Sequence, residues 1–92
     1  MNPRYEVVVW YKMDSVQYNL PSLIIARVGR EPDESAETQD FGDLHWNCPT
    51  KESAIKYAES LLEFAAFEGI DRFVVNGYGD ESFESKFYKI SR

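Results

Sequence analysis

The sequence predicts an α+β fold: a mostly antiparallel sheet of five strands in the order β-β-β-α-β-β, with one helix packed on one of its faces. Five short segments are rich in β-branched and aromatic residues. One longer segment has the apolar spacing of an amphipathic helix. Short connections between successive strands favour antiparallel pairing, and 92 residues suffice for a single domain over residues 1–92.

The first two strands are predicted over Arg4–Lys12 and Leu20–Val28, with a hairpin loop over residues 13–19 between them. Pro21 lies at the beginning of the second segment, where a strand tolerates the missing N–H. Both segments have apolar residues at odd and at even positions. This pattern is typical of central strands, or of a sheet whose two faces are both covered.

A third, short strand is predicted over Asp43–Cys48, after an acidic connection over residues 29–43. The 13 residues from Glu31 to Asp43 contain no base and six acids, which are Glu31, Asp33, Glu34, Glu37, Asp40 and Asp43. The chain carries +2 before this segment and −2 after it, so the segment accounts for the whole net charge of −6. It cannot be buried, and we expect a solvated connection or a surface that faces something positive, with one helical turn as an option at residues 31–34.

The main helix is predicted from Thr50 to Phe67, with Thr50 as its N-cap and Gly69 in the left-handed position beyond its end. Its buried face is expected to hold six apolar residues, and its solvent face four charged ones. These are Ala54, Ile55, Ala58, Leu61, Leu62 and Ala65 on the buried face and Glu52, Lys56, Glu59 and Glu63 on the solvent face.

The last two strands are predicted over Arg72–Tyr78 and Phe83–Ile90. Asn76-Gly77 and Gly79-Asp80 supply turn chemistry between them, so we expect a hairpin. A crossover through the helix would place the third and fourth strands parallel to each other.

No motif in the chain indicates catalysis, a cofactor or a metal site. His45 and Cys48 are the only histidine and cysteine. In a strand they point to opposite faces, so they cannot share a ligand or exchange a proton. We expect His45 to pair with Asp43 at the surface and Cys48 to pack in the core. The sequence therefore predicts a protein that is not an enzyme.

Composition and charge restrict the partners. The single cysteine permits no internal disulfide, and no segment is long and apolar enough to be a signal peptide or a membrane span, so we expect a cytoplasmic protein. A pI near 4.7 with dispersed bases argues against direct binding to nucleic acid and against docking on anionic membranes. The same charge permits attraction to a protein with a basic surface, or repulsion that only keeps the protein soluble.

Two binding hypotheses follow. In the first, the six carboxylates of the acidic segment engage a basic protein surface, as an inhibitor or adaptor, or by mimicry of a nucleic-acid backbone. In the second, exposed aromatics dimerise the chain or recruit a partner, either from the sheet or from the helix flank, where Tyr57 and Phe64 lie together.

In size, acidity and mixed strand–helix composition, the chain broadly resembles the small phage-encoded inhibitors of host defence and nucleic-acid enzymes. Anti-CRISPR and anti-restriction proteins belong to this group. The resemblance covers general character and no shared motif, and it implies a non-enzymatic inhibitor.

Overall fold

The computed structural model describes residues 3–14, 19–63 and 70–89, which form a five-stranded antiparallel sheet and two helices. The strands are β1 (Arg4–Lys12), β2 (Glu34–Glu37), β3 (Phe41–Cys48), β4 (Ile70–Tyr78) and β5 (Lys86–Lys89), and the helices are α1 (Leu20–Val28) and α2 (Lys51–Leu62). The order across the sheet is β2-β3-β1-β4-β5, with every neighbouring pair antiparallel. The predicted α+β class and the five-stranded antiparallel sheet are confirmed.

Strand β1 occupies the centre of the sheet, as its apolar residues on both faces predicted. Val7, Val8 and Val9 are all at most 1% exposed. Because β3 and β4 both pair antiparallel with β1, they run in the same direction as each other, with β1 between them. The predicted parallel relation of the strands before and after the main helix is therefore observed, although these strands are not neighbours.

The predicted second strand is wrong: Leu20–Val28 is helix α1, and no hairpin follows β1. Pro21 lies in the first helical turn, where its missing N–H is not needed. Gly29 ends the helix in the left-handed conformation and donates its N–H to the Ile25 carbonyl. Proline at the start and glycine just past the end is a helix signature. The β-branched composition of the segment concealed it, and tertiary packing of Leu20 and Ile24 settles the outcome.

Helix α2 begins where it was predicted to begin. The Thr50 side chain accepts a hydrogen bond from the Ser53 N–H at 3.1 Å, which confirms the N-cap. Ala54, Ala58 and Leu61 are buried as predicted, whereas Leu62 is 45% exposed because it lies outside the stripe that faces the sheet. Residues 64–69, with the predicted helix end and the Gly69 cap, lie outside the described residues.

Both helices lie on one face of the sheet, and the core lies between the helices and this face. Strand residues of the core cluster all come from this helix-covered face, including Trp46, Phe73 and Tyr88. The helices contact each other through Arg27, which donates to the Ser60 carbonyl at 3.1 Å and pairs with Glu63. No described element covers the other face, which we call the open face.

The last hairpin is shorter than predicted. Strand β5 spans Lys86–Lys89 rather than Phe83–Ile90, and Ile90 lies outside the described residues. Phe83 precedes the strand, and its ring packs edge-on against Tyr5 with 5.3 Å between centroids. Strands β4 and β5 pair antiparallel, as predicted. The predicted turn at Asn76-Gly77 is wrong, because both residues lie inside β4 and pair with β1, and the connection begins only after Tyr78.

Candidate protein-binding surface

Residues 29–43 were predicted to be an acidic connection, and the structure shows that they also contain a strand. The centre of this segment is strand β2, which forms a hairpin with β3 through a tight turn at Gln39 and Asp40. The Thr38 N–H donates to the Phe41 carbonyl at 2.7 Å and closes this turn. Residues 31–33 adopt no helical turn. The segment therefore forms one edge of the sheet, and all four residues of β2 are exposed.

Strand geometry sends the two glutamates of β2 to opposite faces. Glu34 pairs with His45, which lies on the open face, while Glu37 pairs with Gly42 on the helix-covered face. Side chains alternate along a strand, so residues three apart cannot share a face. Burial and then the negative charges of Glu37 and Asp43 raise the pKa of the Tyr11 hydroxyl, which places Glu37 beside the helix-covered side.

Two of the six predicted carboxylates are paired with other side chains of the molecule. Asp33 pairs with Arg30 at 2.6 Å and accepts the Asn47 N–H at 2.6 Å. Asp43 lies 2.8 Å from His45 Nε2. Asp33 reaches β3 from the residues before β2, whereas Asp43 and His45 both belong to β3. The negative charge of both carboxylates is therefore less available to a partner.

The other four carboxylates remain exposed along one margin of the molecule. Glu31, Glu34, Glu37 and Asp40 are exposed, and no Lys or Arg within residues 3–14, 19–63 and 70–89 forms an ion pair with any of them. We call these four residues, together with strand β2, the acidic edge. Glu34 and Glu37 lie in the edge strand and point to opposite faces, Asp40 lies in the turn between β2 and β3, and Glu31 precedes β2.

His45 is held between two carboxylates on the open face. Asp43 Oδ2 contacts the Nε2 atom, and Glu6 Oε2 lies 3.4 Å from Nδ1 as an ion-pair contact without hydrogen-bond geometry. Burial by itself lowers the pKa of His45. The Asp43 hydrogen bond and the charges of both carboxylates outweigh it, so the pKa is raised above its usual value. The expected pairing of His45 with Asp43 is confirmed.

The His45 cluster does not form a metal site. Its two carboxylates lie against opposite nitrogens of the ring, so they cannot converge on one cation. No group of three or more His, Cys, Asp or Glu side chains among the described residues is arranged to hold a metal ion.

Cys48 lies on the opposite face from His45, as the strand alternation predicted. It is 2% exposed in the core cluster, and burial raises the pKa of its thiol. A buried thiol that resists deprotonation is a poor nucleophile. The only histidine and cysteine of the chain are therefore separated by the sheet itself.

Two aromatic rings of the open face are already covered by cations from the same molecule. The Arg72 guanidinium lies 4.7 Å from the centre of the Trp10 ring, and the Arg4 guanidinium lies 4.9 Å from that of Tyr78. The Tyr78 hydroxyl donates to Glu6 at 3.2 Å. Charged and aromatic groups of this face thus satisfy one another to a large extent.

Of the remaining aromatics, Phe87 on β5 is the most exposed large apolar side chain among the described residues, at 65%. It lies on the open face, since its register partner is Val74. Tyr57 is half-buried and packs against the core cluster from α2. Phe64, its predicted companion, lies outside the described residues. Tyr5, Tyr11 and Tyr88 are core residues.

A shallow cavity of about 480 Å³ adjoins the acidic edge on the open face. Trp10, Ala36, Phe41 and Asp43 line it together with Arg72 and Asp71. Ala36 belongs to β2, so the cavity begins directly behind the edge strand. Sequence reasoning did not single out Glu6, Ala36 or Arg72, because their roles come from pairing between strands distant in sequence.

Comparisons with protein-family models, with curated proteins and with solved structures found no match for the chain. None of the helices formed by the described residues has the length and apolar character needed to cross a membrane. The arrangement of side chains is therefore the basis for the functional proposal.

Proposed function

We propose that the chain is a small acidic binding protein that engages a basic surface of a partner protein, as an inhibitor or adaptor, and acts by binding rather than by catalysis. The observation that carries the proposal is the acidic edge: four exposed carboxylates on one margin, with no ion pair to a described Lys or Arg. Exposed charges of one sign steer a partner of the other sign and suppress wrong partners. We place the interaction in the cytoplasm.

The contrast with the open face supports this choice of surface. There, Arg4 and Arg72 cover aromatic rings, and His45 is shared by two carboxylates. A partner that bound this face would first have to separate these pairs. The acidic edge requires less rearrangement, because its four carboxylates are exposed, and only Glu37 among them also acts on a buried group, the Tyr11 hydroxyl.

Mimicry of nucleic acid, as in the phage-encoded anti-CRISPR and anti-restriction inhibitors, is a narrower form of the proposal. Duplex DNA presents one charge per ~1.7 Å of its axis. Glu34 and Glu37 are three residues apart in a strand, a separation of roughly 10 Å, and they point to opposite faces. This wide spacing favours a basic protein segment over a groove built for nucleic acid.

The test is a charge reversal with a matched control. Glu34, Glu37 and Asp40 are replaced together by Lys, and a control variant carries Glu52→Lys, Glu59→Lys and Glu81→Lys, which change the charge equally at exposed positions elsewhere. Each tagged variant is used to capture proteins from lysate at low and at high salt. We expect the wild type and the control to retain the same basic partner at low salt and to release it at high salt.

The acidic-edge variant should retain its circular dichroism spectrum and lose the partner. Unchanged capture by this variant would refute the proposal, and so would equal loss in the control variant. The second outcome would mean that overall charge, rather than the acidic edge, attracts the partner.

A second candidate function rests on Phe87. An aromatic ring that is 65% exposed on an edge strand is suited to the centre of an interface. In this alternative the chain dimerises or recruits a partner through aromatics. Sedimentation at increasing concentration should then reveal a larger species that Phe87→Ser abolishes, whereas a monomer at all concentrations would exclude dimerisation.

A further inference from the structure

We infer that the acidic edge binds its partner by strand addition: an extended basic segment of the partner pairs with β2 and becomes a sixth strand of the sheet. This inference rests on the proposed function and specifies how the partner is bound. It depends on the backbone of β2 rather than on its charge alone.

The alternation of hydrogen-bonded and non-hydrogen-bonded pairs in the β2–β3 hairpin shows which backbone groups of β2 face outward. Thr38 and Phe41 form a hydrogen-bonded pair, and such pairs alternate with pairs that make no ladder bonds. Ala36 therefore bonds to Asp43, whereas Ser35 and Glu37 direct their N–H and C=O groups away from β3. Because β2 is at the edge, no described strand receives these groups. This arrangement is the template that an added strand uses.

The side chains of β2 determine which segment fits. An added strand places its residues alternately on the two faces, so one residue meets Glu34 on the open face and another meets Glu37 on the helix-covered face. Because Glu34 and Glu37 lie on opposite faces, they do not form one flat acidic patch. They suit an added strand that carries basic residues on both of its faces.

The cavity behind Ala36 determines which residue fits at a third position of the added strand. The residue opposite Ala36 points to the open face, and the small Ala36 side chain leaves room for a long one to pass over it. Such a side chain enters the cavity lined by Phe41 and Asp43. Asp43 is held by His45 and Arg72 covers Trp10, so the surface of the cavity that stays available is the Phe41 ring, which is 42% exposed. An arginine can lie against this aromatic wall. Opposite Glu37, Ala36, Ser35 and Glu34, an antiparallel segment should therefore read Lys-Arg-Val-Lys.

A second copy of the chain is a less suitable occupant. Two acidic edges repel each other, because both strands carry Glu34 and Glu37 and neither carries a base. Strand β5 is basic, but each copy has a net charge of −6 and the Lys86 ammonium lies 5.5 Å from the Tyr88 ring centre of its own chain. Charge complementarity favours a different, basic protein.

The test uses a synthetic peptide, acetyl-Thr-Val-Lys-Arg-Val-Lys-Val-Thr-amide with a fluorescent label, and measures its anisotropy against the full chain. Two N-methylated forms provide a matched pair. Methylation of the valine opposite Ser35 blocks an N–H that faces β2, whereas methylation of the arginine opposite Ala36 blocks one that faces away. We expect the first to weaken binding by about tenfold or more and the second to change it by less than about threefold.

On the protein side, Ser35→Pro removes an outward N–H and spares the ladder between β2 and β3, and Ser35→Ala is its control. The proline variant should bind the peptide at least about tenfold more weakly, with its thermal midpoint close to that of the control. If it does not fold, the peptide pair decides alone. Equal weakening by the two methylated peptides would overturn strand addition.

The outcomes separate this inference from the proposed function. Loss of binding on charge reversal of the acidic edge, with no effect of Ser35→Pro or of either methylation, overturns strand addition and leaves the acidic edge as a purely electrostatic surface. Oligomers of the protein alone that Ser35→Pro dissolves would assign the edge to a second copy and also overturn the inference.

Discussion

A substitution at Gly42 tests the packing that holds the β2–β3 hairpin against β1. It lies opposite Tyr11 in the pairing of β3 with β1, and the buried Tyr11 ring lies over its backbone. A Cβ atom at position 42 would come closer than 3.0 Å to three side-chain atoms of Tyr11, namely the ring carbons Cζ and Cε2 and the hydroxyl oxygen Oη. Gly42→Ala should therefore overpack the core at this point.

Two opposing effects determine the magnitude. Overpacking typically costs about 1–3 kcal/mol. The Gly42 φ angle is outside the left-handed region, so alanine adds no backbone strain there and recovers roughly 0.4–1 kcal/mol by restricting the unfolded chain. The net loss should be about 1–2 kcal/mol. For a domain of this size each kcal/mol lowers the Tm by roughly 4–8 °C, so the Tm should fall by about 5–15 °C.

Urea unfolding of four proteins, followed by circular dichroism, tests the cause as well as the size of the effect. They are the wild type, Gly42→Ala, Tyr11→Leu and the double variant. Because leucine removes the ring that the new Cβ meets, the double variant should be more stable than the sum of the single effects by about 1 kcal/mol or more. Additive effects, or a Gly42→Ala variant as stable as the wild type, would refute this account.

Four further predictions concern the two helices and the residues His45 and Cys48 of β3. Ile24→Ala should cost about 2–4 kcal/mol in urea unfolding and Leu23→Ala less than about 0.5, because Ile24 is buried whereas Leu23 is 41% exposed; similar losses would contradict the helix. Thr50→Ala should cost about 1 kcal/mol through loss of the α2 cap, and Thr50→Ser should restore most of it; an unchanged midpoint would contradict the cap. The pKa of His45 is raised in the folded state, so protonated His45 stabilises the fold fully below about pH 6.5, the unfolded pKa, and this stabilisation disappears as the pH rises through the folded pKa. Thermal melts of His45→Gln should therefore show the largest loss of Tm in acid. A larger loss at high pH would contradict the raised pKa. Cys48 should react with a thiol reagent at the rate of unfolding in native buffer and rapidly in denaturant; fast native labelling would show an accessible thiolate.

Several parts of the fold could be predicted because local chemistry specifies them. Thr50 caps α2 through its own hydroxyl, and the period of two along β3 alone sends His45 and Cys48 to opposite faces. Segment Leu20–Val28 could not be assigned in the same way, because its leucine, isoleucine and valine residues are compatible with a buried strand or a buried helix. Contact of Leu20 and Ile24 with the core selected the helix.

The sequence by itself determined that the carboxylates of residues 31–43 are solvated, since so many charges without a base cannot be buried. Only the tertiary structure decided how they are presented. The pairing of β2 with β3 placed Glu34 and Glu37 on opposite faces and left the outer backbone of β2 exposed, while Asp33 is paired with Arg30 and Asp43 with His45. Charge is a property of each residue, whereas the face and the edge depend on which strands pair.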